Sequence, residues 1–177
     1  MYVRNYGDGL GLPWQEVFQT RVRAEVEEHC RRAAIVCEWK DGDRLCTRQL
    51  RPAVRTHPKT GEWVWFNHAL FFHVSSLDAT TQAAFAGLTA DELPFNALFG
   101  DATPIDPSLM EEIREAYREA TVSFPWQAGD VLMLDNMLVA HGREPFVGPR
   151  KVVVAMADPF QENYQPLEMR VAAQVSV

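Results

Sequence analysis

No apolar run in this 177-residue sequence approaches the ~18 residues of a membrane span, so a helical membrane protein is excluded. The opening MYVRNYGDGLGLPW has no hydrophobic core followed by a small-residue cleavage site, and a cytoplasmic location is expected. Internal repeats, low-complexity tracts and charge blocks are lacking. Pro and Gly are scattered as turn punctuation and gather into no linker, so one domain over residues 1–177 is expected. Residues 160–177 carry little pattern and read as a loose tail. A basic excess is lacking too: 17 Lys and Arg against 24 Asp and Glu give a net charge of -7, which argues against nucleic acid or an anionic membrane as partner.

Cysteine is scarce. Cys30, Cys37 and Cys46 are odd in number and match no zinc spacing. If Asp41-Gly42 is a two-residue hairpin turn, Cys37 and Cys46 lie directly opposite, at a Cα separation of ~4.5–5.5 Å that a disulfide tolerates. In a reducing cytosol two packed thiols are expected instead. Gly7-Asp8-Gly9-Leu10-Gly11 has neither the preceding strand nor the following Lys-Ser/Thr of a phosphate loop. His68 and His73 are five apart, off-register on a helix and on opposite faces of a strand, so packing roles are expected for both.

What is present is enough apolar sequence, 47%, for a substantial core; a chain of this length buries roughly 70% of its unfolded surface. Leu12-Pro13-Trp14 starts a helix into Gln15–Thr20, and a second runs from Arg21 to about Arg32. Ile35–Lys40 and Arg44–Gln49 read as a hairpin, and Ala53–His57 and Trp63–Asn67 flank the turn Pro58-Lys59-Thr60-Gly61. Ser76–Phe85 is expected to be helical. Asp106-Pro107 opens a helix with Leu109, Ile113, Tyr117 and Ala120 on its apolar face, ending near Thr121. Val122–Trp126, Val131–Leu134 and the β-branched run Lys151–Ala157 are expected as strands, the last buried on at least one face. Together these predict a mainly β fold with inserted helices (α+β), a sandwich or barrel. The tryptophans 14, 63, 65 and 126 are expected in the core or on a pocket wall.

The densest candidate for chemistry runs from Trp126 to Arg150. A Gly129-Asp130 turn launches an apolar strand ending in Asp135-Asn136, an irregular stretch delivers His141, and Arg150 precedes an apolar run. An arginine entering a buried strand is costly without an anion, and its planar fork suits a carboxylate. A neutral imidazole is a common ligand of iron, zinc and copper. Residue types alone leave two readings open. In one, a pocket holds a metal and an organic acid. In the other, His141 is an ordinary core or surface histidine and Arg150 pairs with Glu144 or Asp158.

The order of the residues carries a resemblance. The string W-x-x-G-D-x-x-x-x-D-N-x-x-x-x-H-G-R-x-P-F-x-G-x-R resembles the C-terminal signature of the TauD/TfdA family of Fe(II)/2-oxoglutarate-dependent dioxygenases, in its clavaminate-synthase-like branch. The likeness extends through Arg4-Asn5-Tyr6-Gly7, Leu12–Thr20 and Val64-Trp65-Phe66-Asn67, and so covers most of the chain up to about Pro159. The resemblance implies a partial double-stranded β-helix (jelly roll) with His141 as the distal Fe(II) ligand. Arg150 would hold the far carboxylate of 2-oxoglutarate, with O2 as oxidant. Asn67 and Arg143 would lie near cosubstrate or substrate; Asn67 serves equally as an amide satisfying a turn, and Arg143 as an exposed partner of Glu144. Asp135 and Asn136 would orient His141 or cap a strand end.

The family's first histidine and acid come as H-x-D or H-x-E upstream of the distal histidine. His29, His57, His68, His73 and His141 are each followed by something else. The chain therefore resembles the C-terminal portion of a family member, and an inactive chain is expected unless an upstream segment supplies the missing ligands. The expected substrate is a small molecule or a carrier-bound amino acid, hydroxylated by the completed enzyme; homo-oligomers stay open. The competing expectation is a non-catalytic jelly-roll remnant that binds a carboxylate or a protein.

Overall fold

Tyr, Val, Trp and Thr placed at alternating positions build two antiparallel sheets. The computed structural model describes residues 1–7, 9, 11–89, 92–149 and 151–157. The larger sheet has four strands in the order β2-β3-β1-β6: β1 is Tyr2–Tyr6, β2 Val36–Lys40, β3 Arg44–Gln49 and β6 Phe95–Ala97. The smaller pairs β4, Val54–Thr56, with β5, Trp63–Trp65. All pairings within the named sheets are antiparallel.

The β2–β3 hairpin corrects the cysteine register. Its turn has three residues, Asp41–Asp43, in which Gly42 (φ 70°) and Asp43 (φ 63°) are both left-handed. Asp43 is held there from outside: its carbonyl accepts from Trp14 Nε1 at 3.0 Å, and its carboxylate pairs with Arg23 at 2.6 Å. Lys40 therefore faces Arg44, Cys37 faces Thr47, and Glu38 faces Cys46. A slip of one residue puts a side chain on the other face of the sheet. Cys37 packs against the cluster of Tyr6, Trp14, Val26, Cys30 and Leu45, whereas Cys46 packs with Val3 and Leu98 behind the sheet.

Among the described residues, five α-helices accompany the sheets: α1 Trp14–Val17, α2 Arg23–Arg32, α3 Ala69–Phe72, α4 Ala79–Phe85 and α5 Pro107–Ala120. The stretch expected as one helix from Ser76 divides into a 3-10 turn, Val74–Ser76, and α4. Asp78 caps α4 by accepting from the Thr81 N–H at 3.0 Å, and Asp106 caps α5 by accepting from that of Ser108 at 2.8 Å. The buried stripe of α5 is rotated from the expected one. Met110 is buried against Ala97 and Ile105, Ile113 packs beside it, and Leu109 is exposed.

The last third departs most from expectation. The Gly129-Asp130 turn forms, with the Asp130 N–H donating to the Gln127 carbonyl at 3.1 Å. No strand forms among the described residues after α5. Val131 is 92% exposed, Met133 93% and Val153 83%, so the run Lys151–Ala157 is not buried on a face. The physical reason is pairing: a strand needs a neighbour for its backbone donors and acceptors, and no described segment lies alongside. The class is mixed α+β with antiparallel sheets rather than mainly β. Among the described residues, no helix is long and apolar enough to cross a membrane.

Candidate functional site

The pairing places Tyr2, Arg4 and Tyr6 of β1, Thr47 and Gln49 of β3 and Phe95 of β6 on one face of the larger sheet. That face forms one wall of an open cleft of about 2920 Å³. α3, Tyr117 of α5 and the β5 edge form another wall, and the extended strap after α5 closes a third side. Of the residues singled out in the sequence, the cleft brings together Asn67, Asn136, His141 and Arg143. Arg150 lies outside the described residues.

The strap is anchored at one buried histidine. His57, 3% exposed, follows β4 and starts the turn to β5. Its Nδ1 accepts from the Thr60 N–H at 3.1 Å, which leaves the ring proton on Nε2 for the Asp135 Oδ2, 3.0 Å away. Asp135 Oδ1 accepts from the Met137 N–H at 3.0 Å, and the Asp135 carbonyl accepts from the Leu138 and Val139 N–H groups at 3.1 Å. One short turn thus leads from His57 through Asp135 toward His141. The Met137 N–H, and then His57, hold the Asp135 carboxyl below its ordinary value. Nothing in the opposing pattern of residues marked His57 as an anchor. The available signal was Thr56-His57-Pro58-Lys59-Thr60-Gly61, a turn in which a ring nitrogen can take a backbone N–H.

The Asp135 carboxylate is committed to His57 and Met137 and not to His141. His141 is exposed on the cleft wall. Arg143 lies over the Phe146 ring, 5.1 Å from its centroid, and not against Glu144. Asn67 satisfies the turn before α3: its Nδ2 donates to the Ala53 carbonyl at 2.8 Å and its Oδ1 accepts from the Ala69 N–H at 2.8 Å. Trp63, Trp65 and Trp126 line the cleft, Trp63 with 82% of its surface exposed, and Trp14 is buried.

His68 and His73 do structural work. The His68 N–H donates to the Tyr2 hydroxyl at 2.6 Å. His73 is buried; its Nδ1 accepts from the Ser75 N–H at 3.2 Å, and its Nε2–H donates to the Ile105 carbonyl at 3.1 Å. Burial pushes its pKa down from the ordinary histidine value.

A mononuclear Fe(II) site of the kind the resemblance implies needs two histidines and a carboxylate on one face of the metal. Among the described residues no three His, Cys, Asp or Glu side chains stand close enough to hold an ion. His141 offers one ligand, and the described residues by themselves do not fit the metal.

A model of the taurine catabolism dioxygenase TauD, TfdA family matches residues 2–156. The dapdiamide synthesis protein DdaC of Enterobacter agglomerans is 46% identical over 159 residues, covering 89% of this chain and 48% of its own length. A clavaminate synthase-like protein of Arabidopsis thaliana is 27% identical over 163 residues, covering 88% of this chain and 46% of its own length. The chain spans about half the length of these curated relatives.

Proposed function

This chain belongs to the taurine catabolism dioxygenase TauD, TfdA family, and we propose from that membership that it carries the distal-ligand and cosubstrate-binding part of an Fe(II)/2-oxoglutarate-dependent dioxygenase. His141 is its one metal ligand, Arg150 holds the far carboxylate of 2-oxoglutarate, and the first histidine and the acid come from a polypeptide segment outside these 177 residues. The completed fold is a jelly roll that hydroxylates a small or amino-acid-derived molecule.

One observation carries this reading: His141 stands on the wall of a wide cleft, on a strap whose apolar residues face solvent, and no three ligating side chains gather around it among the described residues. An apolar surface this extensive marks a place where further protein packs. The strap already has the alternating and β-branched sequence of strands; what it lacks is a neighbour.

The test is complementation. The portion of DdaC outside its match to this chain is co-expressed with the chain, and Fe(II) binding is measured by anaerobic isothermal titration calorimetry. The chain alone gives no tight one-to-one binding; the complemented pair does, and His141→Ala abolishes it. Tight binding by the chain alone overturns the ligand assignment. A folded pair that binds neither Fe(II) nor 2-oxoglutarate favours the non-catalytic module that binds a carboxylate or a protein.

A further inference from the structure

The middle of a covered sheet face normally holds apolar side chains; here it holds a guanidinium. Arg4 lies on β1, an interior strand between β3 and β6, opposite Thr47 of β3 and Phe95 of β6. Along the same face, Tyr6 and Leu45 belong to the apolar cluster under α1 and α2. Tyr2 and Ala97 belong to the cluster under α3 and α5. Arg4 stands between these clusters, half-buried and open to the cleft.

Its guanidinium lies over the Tyr6 ring, 5.0 Å from the centroid. No carboxylate among the described residues pairs with it. A ring face attracts the cation but takes none of its in-plane N–H donors. Arg114, on the same cleft, shows the contrast: it is paired with Glu111 at 2.8 Å and with Ser75 at 2.6 Å. The electrostatics agree. In a chain of net charge -7, the charged side chains lining the cleft among the described residues are five arginines and two glutamates, and a cleft with an excess of one sign favours ligands of the other.

We propose that Arg4 anchors a carboxylate of the organic substrate, a role different from the cosubstrate role proposed for Arg150, with the substrate's flat or apolar body seated on Tyr2, Trp65, Phe72 and Phe95 of the cleft wall. The proposal rests on the dioxygenase reading and narrows it. Of the two expected substrate forms, it selects an organic acid with a free carboxylate over an amino acid whose α-carboxyl is tied up in the bond to its carrier. The planar fork of Arg4 grips that carboxylate bidentately, and the Tyr6 ring beneath keeps the fork flat and aimed across the face.

The experiment uses the whole chain and two matched probes, indole-3-acetate and indole-3-acetamide, followed through the arginine Nε–Hε resonances by NMR. The acid shifts the Arg4 resonance saturably and binds at least tenfold more tightly than the amide. Arg4→Gln brings the acid down to the amide's affinity, and Arg4→Lys retains part of the difference. Equal affinities, no saturable shift from the acid, or an Arg4→Gln variant that keeps the preference overturns the proposal. If Arg4→Gln loses its melting transition, the Arg4→Lys variant and the acid–amide comparison on the unaltered chain decide. A parallel titration with 2-oxoglutarate keeps the two readings apart. Arg150→Gln weakens 2-oxoglutarate and leaves the indole preference intact, so failure of the Arg150 arm counts against the dioxygenase reading and failure of the Arg4 arm against this subsite.

Discussion

His57 donates from Nε2 to the Asp135 carboxylate at 3.0 Å, tying the β4–β5 hairpin to the strap that carries His141. The tautomer is set by the Thr60 N–H, which occupies Nδ1. A ring with both nitrogens committed is a fixed anchor, and the Asp135 it holds accepts the Met137, Leu138 and Val139 N–H groups of the turn that follows.

The tautomer is directly measurable. Long-range ¹H–¹⁵N spectra at neutral pH show the His57 proton on Nε2; a proton on Nδ1 contradicts the assignment. His57→Phe fills the space but removes the donor, costing about 1–3 kcal/mol in urea unfolding. The Asp135 carboxyl then titrates closer to its ordinary 3.8 but stays below it, because the Met137 N–H is the larger cause of the depression. A carboxyl depressed on folding stabilises above its unfolded pKa and loses that contribution as pH falls through the folded one. Wild-type protection of the Met137 amide therefore declines only below pH 3.8.

His73 sets a different pH window. Its folded pKa lies below 6.5, so the unfolded state binds the extra proton first. Stability is complete above 6.5 and declines as pH falls from there toward the folded pKa. Chemical denaturation from pH 7.5 to 5 shows the slope, and His73→Gln removes it. A slope unchanged in that variant assigns the pH dependence to another group.

The rotated face of α5 separates two neighbouring residues. Met110→Ala costs about 2–5 kcal/mol, as buried methionines do. Leu109→Ala, on the exposed side, costs within about 0.5 kcal/mol. Asp106→Ala removes the cap and costs about 1 kcal/mol. Thermal melts of the three variants read all three values, and a larger loss for Leu109→Ala than for Met110→Ala restores the face expected from the sequence.

The thiols differ in reach. Burial pushes Cys30 up to about 12, with the neighbouring Cys37 acting in the same direction. Cys30 and Cys46 are buried and Cys37 is half-buried. Iodoacetamide at pH 8 labels Cys37 first, as mass spectrometry of tryptic peptides shows. Mild oxidation of the folded chain yields no Cys37–Cys46 bridge, because the sheet lies between those side chains; recovery of that bridge in good yield contradicts the register.

Elements with strong local signals were legible in the sequence. The hairpin, α2, the β4–β5 turn and the capped α5 all arise from turn chemistry, capping and period, which act within a few residues. The central strand β1 was not read as a strand. Tyr2-Val3-Arg4-Asn5-Tyr6 mixes polar and apolar residues because both faces are occupied, one by the Val3 cluster and the other by the cleft. The hairpin register was missed by one residue because Trp14 and Arg23, far from the turn, hold Asp43 left-handed. The strap has strand-forming residues but no neighbour, and propensity does not supply a pairing partner. At the site, the residues singled out through the family resemblance divide: His141, Asn136, Arg143 and Asn67 line the cleft, Asp135 is committed to His57 and Met137, and Arg150 lies outside the described residues. His57 and Arg4 escaped notice because their importance lies in what the fold brings to them.

β1 is also the one strand joining the hairpin to β6. The β2–β3 ribbon can zip locally, but Val3 meets Asn96 only after the ribosome has delivered everything in between. Until then β1 has an open edge, and closing so large a loop is entropically slow. A nascent chain with a bare edge is a template for its neighbours, so growth at low temperature and slow translation should raise the soluble yield by giving β6 time to arrive.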